Sequence, residues 1–196
     1  MSDAVIKPAL HHFNLKTTRL QEMLDWYGTV IGLKVNFQFP GGAFATNDRA
    51  NHRIAFLALP GMEDDPKKNI HTGMHHSAFE YDSFDDLMSS YRRLKALGIA
   101  PKACLDHAIT TSLYYVDPDG NMVELQFDNF GDWEKSAHHL RTSEEFARDP
   151  IGTFFDPDKV LAAHEAGATF AELRSDTRAG KFSPDTPPSA ALLNQP

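Results

Sequence analysis

The sequence predicts an α+β protein made of two βαβββ modules and a helical C-terminal extension. The first observation behind this prediction is an internal repeat, because residues 11–33, HHFNLKTTRLQEMLDWYGTVIGL, align with residues 75–99, HHSAFEYDSFDDLMSSYRRLKALGI. The second is the helical spacing of apolar residues inside both repeats. The third is a series of strand patterns, separated by turn residues, that follows each predicted helix.

Each repeat opens with a His-His pair on a short predicted strand and continues into an amphipathic helix. The apolar positions recur at i, i+3, i+4 and i+7, which is the spacing of one buried helix face. They are Leu20, Met23, Leu24 and Tyr27 in the first repeat, and Phe84, Leu87, Met88, Tyr91 and Leu94 in the second. Both helices are predicted to end near a glycine, Gly32 or Gly98.

Three strand patterns follow each helix and complete the modules. They are LKVNFQF, GAFATND and HRIAFLAL in the first half, and APKACL, TSLYYVD and NMVELQF in the second. We therefore predict modules at about residues 8–61 and 73–127, which together form one domain over residues 1–127. The charged segment 62–72, MEDDPKKNIHT, has no hydrophobic period and is interpreted as the linker between them.

Residues 128–196 form the predicted extension. Helices are expected around Asp132–Ala147 and Lys159–Ala166, the second with Asp156 as its N-cap. The final stretch, SPDTPPSAALLNQP, is proline-rich and is expected to be an exposed or partner-bound tail.

The composition excludes several classes of partner. A formal net charge of -8, without a Lys/Arg run, argues against nucleic acid. The sequence has neither an apolar run long enough to span a membrane nor a signal-peptide pattern in MSDAVIKPAL, so we expect a cytoplasmic protein. The single cysteine, Cys104, cannot form an internal disulfide and is interpreted as a small core or loop thiol rather than a nucleophile.

Two histidines and one glutamate form the predicted metal site. His12 and His76 occupy matching positions in the two repeats, so packing of the modules about a pseudo-twofold axis would bring them to one cleft; His11 and His75 are expected to face away. Glu124 is a carboxylate in an otherwise apolar strand, where an unpaired charge is costly. Two histidines and one carboxylate are the facial triad that binds Fe(II) and leaves coordination positions open.

These residues resemble the vicinal oxygen chelate superfamily over about residues 8–127. The resemblance is carried by HFNL and HSAF on the first strands and by YYVDPDGNMVELQ at the end of the second module. Within that superfamily the sequence is similar to type I extradiol ring-cleaving dioxygenases, especially one-domain forms such as biphenyl-2,3-diol 1,2-dioxygenases. The segment DPIGTFFDPDKVLAAHEAG resembles the extension of those members. The resemblance implies an Fe(II) cofactor, or alternatively Mn(II), and a catechol-type diol and O₂ as substrates.

The same resemblance implies three catalytic residues outside the metal ligands. They are His52 on the last strand of the first module, His107 in a loop of the second module, and Tyr114, ten residues before Glu124. His107 lies closer to Tyr114 in sequence than the family pattern predicts. His52 would protonate oxygen, while Tyr114 and His107 would hydrogen-bond the diol.

Two alternative functions remain open from the sequence. The fosfomycin-resistance type of metal-dependent thiol transferase uses the same ligand set, and small-molecule-sequestering proteins share the fold without being enzymes. Glyoxalase I and the epimerases would need a fourth ligand on the last strand of the first module, and HRIAFLAL offers none. A one-domain chain of this kind is also expected to be a homo-oligomer.

Overall fold

The computed structural model describes residues 5–68 and 70–186. Both βαβββ modules are confirmed, each with a strand followed directly by an amphipathic helix. The chain divides into Met1–Asp65 and Pro66–Pro196, called unit 1 and unit 2 below. This boundary falls inside the predicted linker, and the extension belongs to the same unit as the second module. The proposed domain limit at residue 127 stays a prediction.

Unit 1 carries a four-stranded mixed sheet and one helix. Its elements are β1 (Phe13–Lys16), α1 (Leu20–Ile31), β2 (Lys34–Phe39), β3 (Gly42–Thr46) and β4 (Ile54–Leu57). The strand order is β1-β4-β3-β2, with β1 parallel to β4 and the other pairs antiparallel. The apolar face of α1 buries Met23, Leu24 and Tyr27, as its spacing predicts. Because parallel strands start at the same sheet edge, residues preceding β1 and β4 are neighbours.

Unit 2 repeats this arrangement with one additional strand. Its first elements are β5 (His76–Tyr81), α2 (Phe84–Ala96), β6 (Ala103–Asp106), β7 (Thr110–Val116) and β8 (Met122–Asp128). The sheet order is β5-β8-β7-β6-β9, where β9 (Thr153–Phe154) comes from the extension. The Ser83 hydroxyl caps α2 by accepting from the Asp86 N–H. Cys104 is buried in β6, and burial raises the pKa of its thiol, which fits a core residue.

The extension contains four helices over residues 128–186, the part that the structure describes, two more than the sequence predicts. They are α3 (Trp133–Thr142), α4 (Glu144–Arg148), α5 (Pro157–Glu165) and α6 (Phe170–Arg178). The first predicted helix is broken at Ser143, whose hydroxyl accepts from the Phe146 N–H and so starts a new helix. The start of α5 is confirmed, since the Asp156 carboxylate accepts from the Asp158 N–H.

Helix α6 and strand β9 were absent from the prediction. The start of α6 has a recognisable signal, a capping box in which Thr169 and Glu172 bond each other's backbone N–H groups. Residues 187–196 of the predicted proline-rich tail lie outside the described residues. Within the described part of the chain, none of the helices combines the length and the hydropathy needed to cross a bilayer.

Candidate functional site

Three histidines meet at the edge of the sheet of unit 1. His11 and His12 directly precede β1, and His52 lies two residues before β4. The parallel pairing of these strands brings the two positions together. The Nδ1 atoms of His11 and His12 are 3.0 Å apart, and the ring centroids of His12 and His52 are 4.2 Å apart. Unit 1 therefore sets the predicted ligand His12 against the predicted acid-base residue His52.

The prediction that His11 and His75 point to the opposite face from His12 and His76 is wrong. His75 lies with its Nδ1 2.8 Å from Nδ1 of His76, and His11 approaches His12 in the same way. Side chains alternate between two faces only inside a strand. β1 begins at Phe13 and β5 at His76, so each of these pairs contains residues outside the pleat.

The His52 imidazole is oriented by its sequence neighbour. Its Nδ1 is 2.7 Å from the Oδ1 of Asn51. Because an amide oxygen only accepts, Nδ1 carries the hydrogen and the neutral ring keeps its lone pair on Nε2. Burial lowers the pKa of His52, and the positive charges that His12 and His11 can carry lower it further. The neutral ring is therefore favoured.

Arg53 fixes the backbone beside the histidine cluster through hydrogen bonds. Its Nη1 donates to the carbonyl of His11 at 2.9 Å, while its Nε and Nη2 donate to the Asp48 carboxylate at 2.9 and 2.8 Å. The hydrogen bond from Arg53 is the main reason that the pKa of Asp48 lies far below its usual value. Arg53 thus connects the backbone before β1 to the β3–β4 connection, and its hydrogen bonds occupy the Asp48 carboxylate.

In unit 2, a buried carboxylate faces an imidazole. Glu124 lies in the middle of β8 and is 5% exposed, and its Oε2 is 3.0 Å from Nε2 of His76. In the parallel β5–β8 register Glu124 is opposite Ala78, which puts it on the same face as His76. Burial raises the pKa of Glu124, but hydrogen bonds from His76 and Ser112 outweigh it, and the pKa is lowered overall. Glu124 is therefore an ionised carboxylate with an imidazole beside it.

Tyr114 and His107 extend this polar group. Tyr114 is opposite Glu124 in the β7–β8 register, and its hydroxyl is 2.9 Å from Nε2 of His107. Nδ1 of His107 is 2.6 Å from the carbonyl oxygen of Ile151 and must donate to it, so in the neutral ring Nε2 accepts from Tyr114. Burial, followed by the charge of Glu124, raises the pKa of the Tyr114 hydroxyl, which stays protonated.

The turn that carries His107 is held by the C-terminal extension. Ala108 has a φ of 69°, and its carbonyl accepts from Nη2 of Arg174 at 2.7 Å and from Nδ2 of Asn129 at 3.2 Å. Nε of Arg174 also forms a 3.2 Å ion pair with the almost fully buried Asp106. α6 therefore clamps the β6–β7 turn directly beside His107.

The structure brings the predicted site residues together within each unit. Unit 2 assembles His76, His107, Tyr114 and Glu124, and unit 1 assembles His12 and His52. The catalytic and metal-binding roles of these six residues stay predictions. Sequence reasoning missed Arg174 and Ile151. It had no signal for Arg174, which lies 68 residues from the aspartate it pairs with.

Comparison with known proteins agrees with this architecture. The model of the Glyoxalase/Bleomycin resistance protein/Dioxygenase superfamily matches residues 9–125. The chain is 39% identical to biphenyl-2,3-diol 1,2-dioxygenase 2 of Rhodococcus globerulus, over 95% of this chain and 98% of the relative. It is 40% identical to biphenyl-2,3-diol 1,2-dioxygenase 3 of the same organism, over 86% and 88%.

A solved structure supports the fold alone. The glyoxylase/bleomycin resistance protein/dioxygenase domain from Frankia sp. EAN1pec superposes with a TM-score of 0.53 at 20% identity, over 63% of this chain and 99% of that domain. The family match covers more than half of the chain, and the Rhodococcus relatives span nearly all of it. The chain therefore belongs to the glyoxalase/bleomycin resistance protein/dioxygenase superfamily.

Proposed function

We propose that the protein cleaves a catechol-type aromatic diol with dioxygen, in the extradiol manner, with 2,3-dihydroxybiphenyl as the model substrate. The observation that carries the proposal is the unit 2 group in which buried, ionised Glu124 meets His76 and faces the Tyr114–His107 pair. Two relatives of similar length that are named biphenyl-2,3-diol 1,2-dioxygenases support it. No such support favours the thiol transferase or the sequestering protein.

The proposed metal ligands are His12, His76 and Glu124, with Fe(II) as the ion and Mn(II) as the alternative. The donor set fits this chemistry, because two imidazoles and one carboxylate leave open positions on Fe(II). Glu124 in particular is already ionised. Its Oε2 lies 3.0 Å from Nε2 of His76, a spacing that two ligands of one metal ion can have. When bound, the ion would supply a Lewis acid for the diol and a position for dioxygen.

The remaining residues would bind the diol and move protons. Tyr114 keeps its hydrogen and can donate it in a hydrogen bond to a diol oxygen, while neutral His107 can accept a proton relayed through that hydroxyl. The Ile151 carbonyl fixes the ring and the tautomer of His107. In unit 1, we propose His52 as the group that protonates oxygen during ring opening. Its Nε2, which carries the lone pair of the neutral ring, would first take up a proton released by the diol and later donate that proton to oxygen, while Nδ1 keeps its bond to Asn51.

The decisive experiment is oxygen uptake by enzyme purified without air, loaded with Fe(II) and given 2,3-dihydroxybiphenyl. We expect uptake to accompany the yellow ring-cleavage product. His52→Phe and Tyr114→Phe should each retain iron while turnover falls about 10²- to 10⁴-fold, the usual contribution of acid-base catalysis. His76→Ala and Glu124→Ala should lose iron and activity together.

Tyr115→Phe is the matched control for Tyr114→Phe. Tyr115 is the next residue of β7 and points to the opposite face, and among the described residues its hydroxyl has no hydrogen-bond partner. Removing it should leave turnover unchanged. If iron-loaded enzyme consumes no oxygen with catechols, the proposed reaction is wrong. Wild-type turnover in both His52→Phe and Tyr114→Phe would show that those residues are structural. Cytoplasmic location and homo-oligomerisation stay predictions.

A further inference from the structure

We propose that unit 1 contains a second cation site, made by the imidazoles of His11, His12 and His52, that binds a zinc-class divalent ion such as Zn²⁺ or Co²⁺. One ring nitrogen from each of these residues lies within 4.8 Å of the others. All three residues belong to unit 1, so the site needs neither His76 nor Glu124. His11 has no role in the proposed reaction.

The spacing of the nitrogens suits a tetrahedral ion. Imidazole nitrogens bound to Zn²⁺ at about 2.0–2.1 Å lie about 3.3 Å from one another. The Nδ1 atoms of His11 and His12 are already 3.0 Å apart. The His52 nitrogen lies within 4.8 Å of the other two, so it must move closer by at most about 1.5 Å to reach that spacing. His11 and His12 are exposed, so their side chains are free to rotate toward it.

The donor chemistry selects the class of ion. The group contains three imidazoles and no carboxylate, which favours zinc, cobalt, nickel or copper over magnesium and calcium. The Asp48 carboxylate is held by Arg53 through two hydrogen bonds and is therefore occupied. His52 offers the lone pair of Nε2, because its Nδ1–H is bonded to Asn51. Three protein ligands leave a fourth position for water.

An ion at this site would occupy two imidazoles that the proposed reaction uses, that of His12 as a metal ligand and that of His52 as an acid-base group. Its predicted consequence, which rests on the proposed function, is inhibition by zinc, because the His12 imidazole cannot bind both ions at once. The binding itself follows from the geometry of unit 1 alone. Cation binding and catalysis can therefore fail independently, and the test measures binding.

The test uses the full chain with His76→Asn and Glu124→Gln, near-isosteric changes that remove the unit 2 donors, and titrates it with Co²⁺. We expect one equivalent to bind and to give the intense visible bands of tetrahedral cobalt. Adding His11→Ala should weaken binding at least 10- to 100-fold, since even indirect partners of a metal ligand contribute that much. The control, His138→Ala, removes an exposed imidazole of α3 and should change nothing.

Two outcomes overturn the proposal: no Co²⁺ binding in the folded His76→Asn/Glu124→Gln protein, or unchanged affinity after His11→Ala. Circular dichroism establishes folding. If the double variant does not fold, the same comparison is made in the single variant Glu124→Gln, in which His11→Ala should again weaken Co²⁺ binding. Equal Co²⁺ affinity with and without His11→Ala would also refute the site. Oxygen uptake reports separately on the proposed reaction.

Discussion

Gly152 allows the extension to approach the β6–β7 turn closely enough to orient His107. It has a φ of 88°, and a Cβ atom there would lie 2.0 Å from the carbonyl oxygen of Asp106 and 3.0 Å from the Cα of His107. The preceding residue, Ile151, supplies the carbonyl that accepts from His107 at 2.6 Å. Gly152→Ala must therefore push the segment outward and lengthen this hydrogen bond.

The expected cost of Gly152→Ala has two separable parts. A left-handed backbone costs a residue with a Cβ about 1–2 kcal/mol, and forcing extra atoms into a packed region costs about 1–3 kcal/mol more. Gly167→Ala isolates the first part, because Gly167 has a φ of 96° and nothing within 4 Å of its added Cβ. We expect a loss of about 2–5 kcal/mol for Gly152→Ala and about 1–2 kcal/mol for Gly167→Ala.

Urea denaturation followed by circular dichroism measures both losses, and oxygen uptake under folding conditions measures the catalytic effect. A displacement of about 1 Å at a catalytic group can cost about 10²-fold in rate. Gly152→Ala should therefore reduce turnover of the folded enzyme, whereas Gly167→Ala should not. Equal stability losses in the two variants, with unchanged turnover in both, would refute the reasoning that links Gly152 to His107.

Two further predictions concern the packing of the extension. Arg174→Met leaves the buried Asp106 carboxylate without its ion-pair partner, so the free energy of unfolding should fall by about 3–5 kcal/mol. The control, Arg178→Met, removes an exposed ion pair and should lower the free energy of unfolding by about 0–1 kcal/mol. Equal losses for the two variants in urea denaturation would contradict this prediction. Asp158 has a lowered pKa, chiefly through the hydrogen bond from Lys95. The ionised carboxylate therefore stabilises the folded protein above pH ~3.9, and this stabilisation is lost as the pH falls through the folded-state pKa. The stability advantage over Asp158→Asn, measured by urea denaturation, should therefore shrink on acidification, and a pH-independent difference would contradict it.

The repeated modules could be predicted because each element has a local signal. The helical spacing of α1 and α2 and the period of the strands are properties of a few consecutive residues. The extension was harder, since the break between α3 and α4 depends on Ser143 turning back to cap a new helix. β9 has only two residues, Thr153 and Phe154, and forms because a sheet edge is available to pair with it.

From the residues alone, the candidate site could be predicted only where a motif repeats or a charge interrupts an apolar strand, whereas His52, His107 and Tyr114 followed from the family resemblance. His12 and His76 were found through the repeat, and Glu124 through its unusual place in β8. The hydrogen bond from Nδ1 of His107 could not be predicted, because its acceptor is a backbone carbonyl 44 residues away and every residue has a carbonyl. Arg174 could not be predicted for a related reason, since fully exposed arginines of a helix carry the same sequence signal as this half-buried one.

The two modules begin with the same His-His pair and yet assemble different donors, and the strand register explains why. In unit 2, Ala78 pairs with Glu124, which sets a carboxylate beside His76. The repeat aligns Ala78 with Asn14, and Asn14 pairs with Ala55, a buried residue that has no donor. Among the described residues, the histidine pair of unit 1 therefore meets the imidazole of His52 and no carboxylate in the cluster of donors that unit 1 forms. An identical motif thus provides an imidazole–carboxylate pair in one module and an all-imidazole cluster in the other.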